Sequence, residues 1–160
     1  MSDLLRGSTP QLLANYFFGG EAFLNPEKIL SDLTAEVACQ RPAGAPYSAA
    51  EVVAHIDFWQ NYILDVLSGM GSYAVEHAEE GWPEVTEDQW ELLKTSTLSN
   101  LEQLKRYALE ESERVLKNNE TVGARLESFV IHNAYHWGQV VLLRRMVETA
   151  WPAPGEGLSW

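Results

Sequence analysis

The spacing of the apolar residues restricts this chain more than any other feature of its sequence. In the stretch EVVAHIDFWQNYILDVLSG, apolar side chains recur every three or four residues, which is the period of an amphipathic helix. Ser48 and Glu51 form a capping box at the start of this stretch, and Gly69 is placed to end it. The segment therefore predicts a long helix that buries one face.

Two later segments show the same period. Thr86 and Gln89 form a second capping box, and the helix that follows them is predicted to last to about Leu116. Another helix is predicted to start near Thr121 and to end before Pro152, because proline cannot continue a helix. Both segments carry apolar residues on one side and polar residues on the other.

The N-terminal region predicts one helix in two pieces. Pro10 stands at a first-turn position of the first piece, which a pair of glycines then interrupts. Asn25 can cap the second piece, and Pro26 occupies its first turn. We expect the two pieces to form the first, broken helix of the fold.

These patterns together predict the fold class. Residues 69–85 show no clear period and contain glycines, acidic residues and a Trp-Pro step, so we predict a long crossover loop there. The chain is therefore predicted to be all-α, a four-helix bundle with a long crossover connection between helices two and three. We expect residues 1–160 to form a single domain.

Charge and composition exclude several classes of partner. The chain has 23 acidic and 11 basic residues, which gives a formal net charge of -12 at pH 7. Binding to phosphate backbones or anionic lipids needs a basic surface, so we expect neither a nucleic-acid nor a membrane partner. Cys39 has no second cysteine to pair with, and neither a bilayer-spanning run nor a signal-peptide pattern is present. We expect a cytoplasmic protein.

Three histidines are the candidate site. His132 and His136 are four positions apart within an apolar helical run, so their imidazoles lie on the same side of the predicted helix. His55 is the single polar residue on the apolar stripe of helix two. Packing of the two helices would bring the three side chains to one point. The pattern predicts a three-histidine site for a divalent metal.

A metal-free explanation has to be weighed against this prediction. One histidine on an apolar helix face is more often a core residue that donates to a carbonyl than a metal ligand. Three histidines in one bundle core, however, require partners for six ring nitrogens, and one divalent ion satisfies three of them at once. The set of three therefore favours the metal site, whereas His55 alone would not.

The residues around the pair restrict the chemistry. The helical metalloprotease pattern His-Glu-x-x-His places a general base directly after the first histidine, but this chain has Asn133 there, which cannot accept the proton. Asn133 and Gln139 are candidates for orienting water or an imidazole, although a hydrogen bond within or between helices explains each of them as well. His77 lies in the polar crossover loop, where we expect it to be solvated.

Four segments carry a resemblance to a known family. They are PYSAAEVVAHIDFWQNYIL in helix two, GWP in the crossover, HNAYHWGQVVLLRR in helix four and the terminal WPAPGEGLSW. In this order and spacing the chain resembles the DinB/YfiT-like family of metal-binding four-helix bundles. The resemblance implies that His55, His132 and His136 ligate a divalent transition metal, zinc or nickel, with water completing the coordination. It also implies a homodimer.

The resemblance further implies a reaction. Characterised relatives are thiol S-transferases that use bacillithiol, mycothiol or glutathione, together with a related thiol-dependent isomerase. The leading hypothesis is therefore a metal-dependent, thiol S-transferase-like enzyme with a small-molecule thiol and an electrophile as partners. Trp59, Tyr62 and Trp137 are candidates for holding an apolar electrophile, although core packing is the default explanation for each of them. A metal-dependent hydrolase and a non-catalytic, metal-stabilised binding bundle are the alternatives.

Overall fold

The computed structural model describes residues 8–20, 22–71 and 75–152. Within these residues the chain forms six α-helices and no β-strand: α1 (Pro10–Tyr16), α2 (Pro26–Leu30), α3 (Ala35–Cys39), α4 (Ala49–Ser68), α5 (Trp90–Glu111) and α6 (Val122–Val147). An isolated bridge between Val115 and Thr121 is the one extended pairing in the described part. The prediction of an all-α fold is confirmed.

The helices pack as a bundle around an apolar core. The long helices α4, α5 and α6 contact one another, and the short α1 packs against α5 and α6. The connection from α4 to α5 contains two 3₁₀ helices, Ala78–Gly81 and Glu87–Gln89. It is the long crossover that the sequence predicts, and its first 3₁₀ helix contacts α4. None of the helices within the described residues has the length and apolar character that crossing a bilayer requires.

The boundaries of α4 are where the sequence places them. The Ser48 hydroxyl accepts a hydrogen bond from the Glu51 amide at 3.2 Å, and the Glu51 carboxylate accepts one from the Ser48 amide at 2.6 Å. At the other end Gly69 adopts a left-handed φ of 81°, which glycine tolerates better than other residues. The caps define the register of α4 and therefore the direction in which His55 points.

The N-terminal region differs from the prediction. The two predicted pieces are present as α1 and α2, but a third short helix, α3, follows them and was not predicted. Thr34 caps α3 by accepting a hydrogen bond from the Val37 amide at 3.4 Å. The five residues of α3 are too few to show a helical period in the sequence, which is why the prediction missed it.

Helix α5 is shorter than predicted, because it ends at Glu111 rather than near Leu116. After its last turn the chain folds back, and the Gly123 amide donates to the Ser112 carbonyl at 2.8 Å. Leu116 is nevertheless buried. The apolar residue that suggested a longer helix therefore packs under the turn between α5 and α6.

A buried arginine joins the end of α6 to the N-terminal region. Arg144 is only 1% exposed, and it donates to the Ile29 carbonyl at 2.6 Å, to Asp32 at 2.8 Å and to Glu148 at 2.6 Å. Its guanidinium also lies 3.9 Å from the centre of the Trp151 ring. These bonds satisfy a charge that would otherwise be costly to bury.

We predict that Arg144→Met destabilises the protein by about 2 kcal/mol, because methionine fills the space but leaves the Ile29 carbonyl without its buried donor. Chemical denaturation followed by circular dichroism measures the change. Arg145→Met is the matched control, since Arg145 is exposed one position further along the same helix. Equal unfolding free energies for the two variants would contradict the role of Arg144.

Candidate metal centre

The structure brings the three predicted histidines together. His55 lies on α4, and His132 and His136 lie on the face of α6 that packs against it. The His136 ring centre is 4.4 Å from each of the other two, which are 5.4 Å apart. One ring nitrogen from each residue lies within 4.8 Å of the others. The cluster can hold one metal ion.

Hydrogen bonds prepare two of the imidazoles for coordination. His55 Nδ1 lies 2.5 Å from the Gly81 carbonyl oxygen, which can only accept, so Nδ1 carries the proton. His136 Nδ1 lies 2.7 Å from Gln139 Oε1, which also accepts. In both neutral rings the lone pair therefore resides on Nε2. Such bonds orient the ring and keep the second nitrogen available for a metal.

The third imidazole lacks this support. His132 Nδ1 is buried and has no hydrogen-bond partner among the described residues. A buried polar atom without a partner costs free energy, and a ligand in the cluster would remove that cost for the ring nitrogen it contacts. Imidazole nitrogens are preferred ligands of zinc and nickel. The donor set and the unpaired nitrogen therefore fit a divalent transition metal.

The environment keeps the cluster uncharged. Burial lowers the pKa of His55 from 6.5 to about 4; the bond to the Gly81 carbonyl opposes this shift and nearby His136 adds to it. Burial also lowers the pKa of His132 to about 4, with further contributions from His136 and His55. The pKa of His136 is lowered for the same principal reason. At neutral pH all three rings are unprotonated, which metal coordination requires.

Aromatic rings from the crossover and the loop before α4 cover the cluster. The Trp82 ring stacks on His55 with centres 3.8 Å apart, and Tyr47 stacks on the other side of Trp82 at 4.0 Å. The stack holds the His55 ring in one plane. Sequence reasoning placed Trp82 in a loop and missed this contact, because ring stacking between distant segments has no local pattern.

The backbone at Gly81 passes close to the side chains of Trp59 and His55, which favours glycine at this position. A Cβ atom at this position would lie 3.2 Å from Trp59 Nε1 and 3.6 Å from His55 Nδ1. A side chain at this position would be in close contact with Trp59, which would have to move by a few tenths of an ångström. The Gly-Trp-Pro step is the only local sign of this contact in the sequence, and sequence reasoning did not assign it to the site.

The polar residues near the pair have separate roles. Gln139 orients His136 through a hydrogen bond to its ring. Orientation of an imidazole was one of the two roles that the sequence suggested for Gln139. Asn133 is buried and donates to the Phe129 carbonyl at 3.2 Å, while its Oδ1 lies 3.5 Å from Gln60 on α4. It therefore joins helices instead of orienting an imidazole. His77 is exposed and lies outside the cluster, as predicted.

A pocket of about 400 Å³ opens beside the histidines. We call it the aromatic pocket; its walls include Trp59, Tyr62, Trp82, Phe129, His55 and His132. Trp137 does not contribute to this surface, because its side chain is fully buried in the core, which is the default explanation of its position. The pocket gives a small apolar molecule access to the histidine cluster.

Comparison with known proteins agrees with the geometry. A family model of the DinB superfamily matches residues 25–140. The chain belongs to the DinB superfamily. The matched range includes the three histidines and most of the bundle, so membership and cluster together indicate a metal-binding protein. No curated protein and no solved structure matches the chain significantly.

For this DinB-superfamily protein we predict that the stabilising effect of the metal disappears in acid. A coordinated imidazole must be neutral, and the metal-free rings of His55 and His132 resist protonation until the pH approaches about 4, while the pKa of His136 is also lowered. In the unfolded chain the histidines take up protons near pH 6.5. Stability that depends on the neutral cluster is therefore present above pH 6.5 and is lost as the pH falls towards 4.

Thermal melts with and without a chelator measure this effect. The chelator should lower the melting temperature at about pH 7.5 and change it little at about pH 3.5. His77→Ala should behave like the original chain, since His77 lies outside the cluster, whereas His132→Ala should respond weakly to the chelator at either pH. A chelator effect of equal size at both pH values would contradict the role of the histidines.

Proposed function

We propose that the chain binds one divalent transition metal, zinc or nickel, through His55, His132 and His136. The observation that carries this proposal is the convergence of three neutral imidazoles, two of them held by hydrogen bonds so that Nε2 is free. Three protein ligands are typical of catalytic sites, which keep a position open for water or substrate. The aromatic pocket adjoins the cluster, since His55 and His132 form part of its wall.

We further propose a thiol S-transferase-like reaction between a small-molecule thiol and an electrophile. Neutral ligands leave the charge of a divalent ion uncompensated, and an ion in this position favours the thiolate form of a thiol at neutral pH. The thiolate sulfur forms the new bond to the electrophilic carbon. The leaving group departs with its bonding electron pair, and the thiol proton passes to solvent.

The protein residues contribute orientation and exclusion of water. Trp59, Tyr62 and Phe129 offer apolar ring surface beside the histidines, where the electrophile would contact them. Gly81 and Gln139 hold two of the imidazoles in position without adding negative charge to the cluster. These features support a polar reacting centre at the edge of an apolar binding surface.

The aromatic pocket favours a transferase over the two alternatives, a metal-dependent hydrolase and a non-catalytic, metal-stabilised binding bundle. No carboxylate occurs among the described residues of the pocket wall, so in a hydrolase the metal would have to activate the water without the help of an Asp or Glu there. A purely structural metal requires no adjoining pocket, whereas this cluster adjoins one, and His132 is only partly buried. The transferase proposal uses both the cluster and the pocket.

We predict that metal-loaded protein accelerates conjugation of a thiol to a chlorinated dinitrobenzene above the rate of metal-free protein. His132→Ala should lose this acceleration and His77→Ala should keep it, because only the first change removes a nitrogen from the cluster. Absorbance of the conjugate measures the rate. The thiol panel contains bacillithiol, mycothiol, glutathione and cysteine, with the metal content of each sample measured.

The cobalt-substituted protein supplies a second measurement. A thiol that enters the site should produce an intense sulfur-to-cobalt absorption band, and His132→Ala should abolish it. Absence of both the band and the rate enhancement with every thiol in the panel would overturn the transferase proposal in favour of a structural metal.

A further inference from the structure

Charge is distributed unevenly around the histidine cluster. The histidines are neutral, and Arg125 is the only charged residue among the described residues that line the aromatic pocket. An adjoining pocket, here called the basic pocket, shares Tyr62 and Arg125 with it and is also lined by Arg114 and Lys117. Neither lining contains a described acidic residue, although acidic residues outnumber basic ones 23 to 11 in the chain. Arg114 pairs with Glu111 and Arg125 with Glu120, but both carboxylates lie outside the two linings, so the positive charge that faces the pockets favours an anionic ligand.

The positions on α6 relate this charge to the cluster. Arg125, Ser128 and His132 are separated by three and four residues, which places them in a row on one face of the helix. Arg125 and Ser128 line the same pocket as His132. The separation of seven positions between Arg125 and His132 corresponds to two helical turns, or roughly 10 Å along the helix axis.

Arg125 has an N–H group that makes no hydrogen bond within the described residues. Its Nη2 lies 3.1 Å from Glu120, but its Nε is buried and has no acceptor among the described residues. The side chain is 35% exposed and lines both pockets. A guanidinium presents paired N–H groups that match the two oxygens of a carboxylate.

We infer that Arg125, with Ser128 beside it, binds an anionic group of the substrate, a carboxylate in the first instance, whose other end reaches the histidine cluster two helical turns further along α6. The identity of the other end of the substrate, a thiol that reacts at the cluster, rests on the proposed function. The substrate class is thus an anionic small-molecule thiol. The apolar walls between the two ends accommodate its connecting atoms.

The anion site is tested first without metal or thiol. Calorimetric titration compares n-octanoate with its uncharged amide, octanamide, on the metal-free full chain. The carboxylate should bind about tenfold more tightly, as expected for a charge-assisted hydrogen bond. Octylphosphonate forms a third arm, and tighter binding of either anion than of the amide supports the site. Equal affinities for anions and amide would overturn the inference.

Variants separate binding from a structural role of the arginine. Arg125→Gln should remove the preference for the anion, Arg125→Lys should retain part of it, and Arg106→Gln should leave it unchanged, because Arg106 is an exposed residue of α5 outside both pockets. Glu120→Gln frees the guanidinium from its ion pair and should strengthen anion binding. Loss of the preference in Arg106→Gln, or its retention in Arg125→Gln, would contradict the assignment.

Thiol ligands on the metal-loaded protein distinguish this inference from the proposed function. 8-Mercaptooctanoate, which spans roughly 10 Å, should bind more tightly than both 3-mercaptopropanoate and 8-mercaptooctanamide. Thiols that perturb the cobalt spectrum without any preference for the carboxylate would overturn the Arg125 site alone. A preference for octanoate that persists when no thiol perturbs the cobalt spectrum would support the Arg125 site and contradict the thiol chemistry.

Discussion

Packing of α4 against α6 is the constraint on which the rest of the site depends. It brings His55 of one helix to the His132 and His136 pair of the other, and no other contact in the described structure supplies a third nitrogen to that pair. The same packing removes the rings from water, which lowers the pKa of each histidine and keeps the cluster neutral. Helix packing therefore sets both the position and the protonation state of the candidate ligands.

The crossover connection supplies two further contacts that hold the His55 ring in place. Its 3₁₀ helix Ala78–Gly81 ends with the carbonyl that fixes the tautomer of His55, and Trp82 follows directly and stacks on the same ring. Trp82 and Ala78 of the crossover also line the aromatic pocket, in which Arg125 is the only charged residue among the described lining residues. A neutral donor set next to one positive side chain is an arrangement suited to anionic ligands, despite the acidic character of the chain as a whole.

The sequence was enough to predict the features that depend on residues close together along the chain, such as helix caps and helical spacing. The ends of α4 follow from its capping box and from Gly69, and helical spacing was enough to place His132 and His136 on one face. Contacts between distant segments were beyond that reasoning. The bond from His55 to the Gly81 carbonyl depends on the path of the crossover, and the complete burial of Trp137 depends on how the helices are rotated against each other.

X-ray absorption at the metal edge of the zinc- or nickel-loaded protein tests the central claim most directly, because it reports the atoms bound to the ion itself. Coordination by His55, His132 and His136 predicts three imidazole nitrogens, at about 2.0–2.1 Å for zinc, with the multiple-scattering pattern of the rings. Addition of an anionic thiol should then introduce a sulfur neighbour while the imidazoles remain. A first shell of oxygen atoms without imidazole scattering would contradict the account.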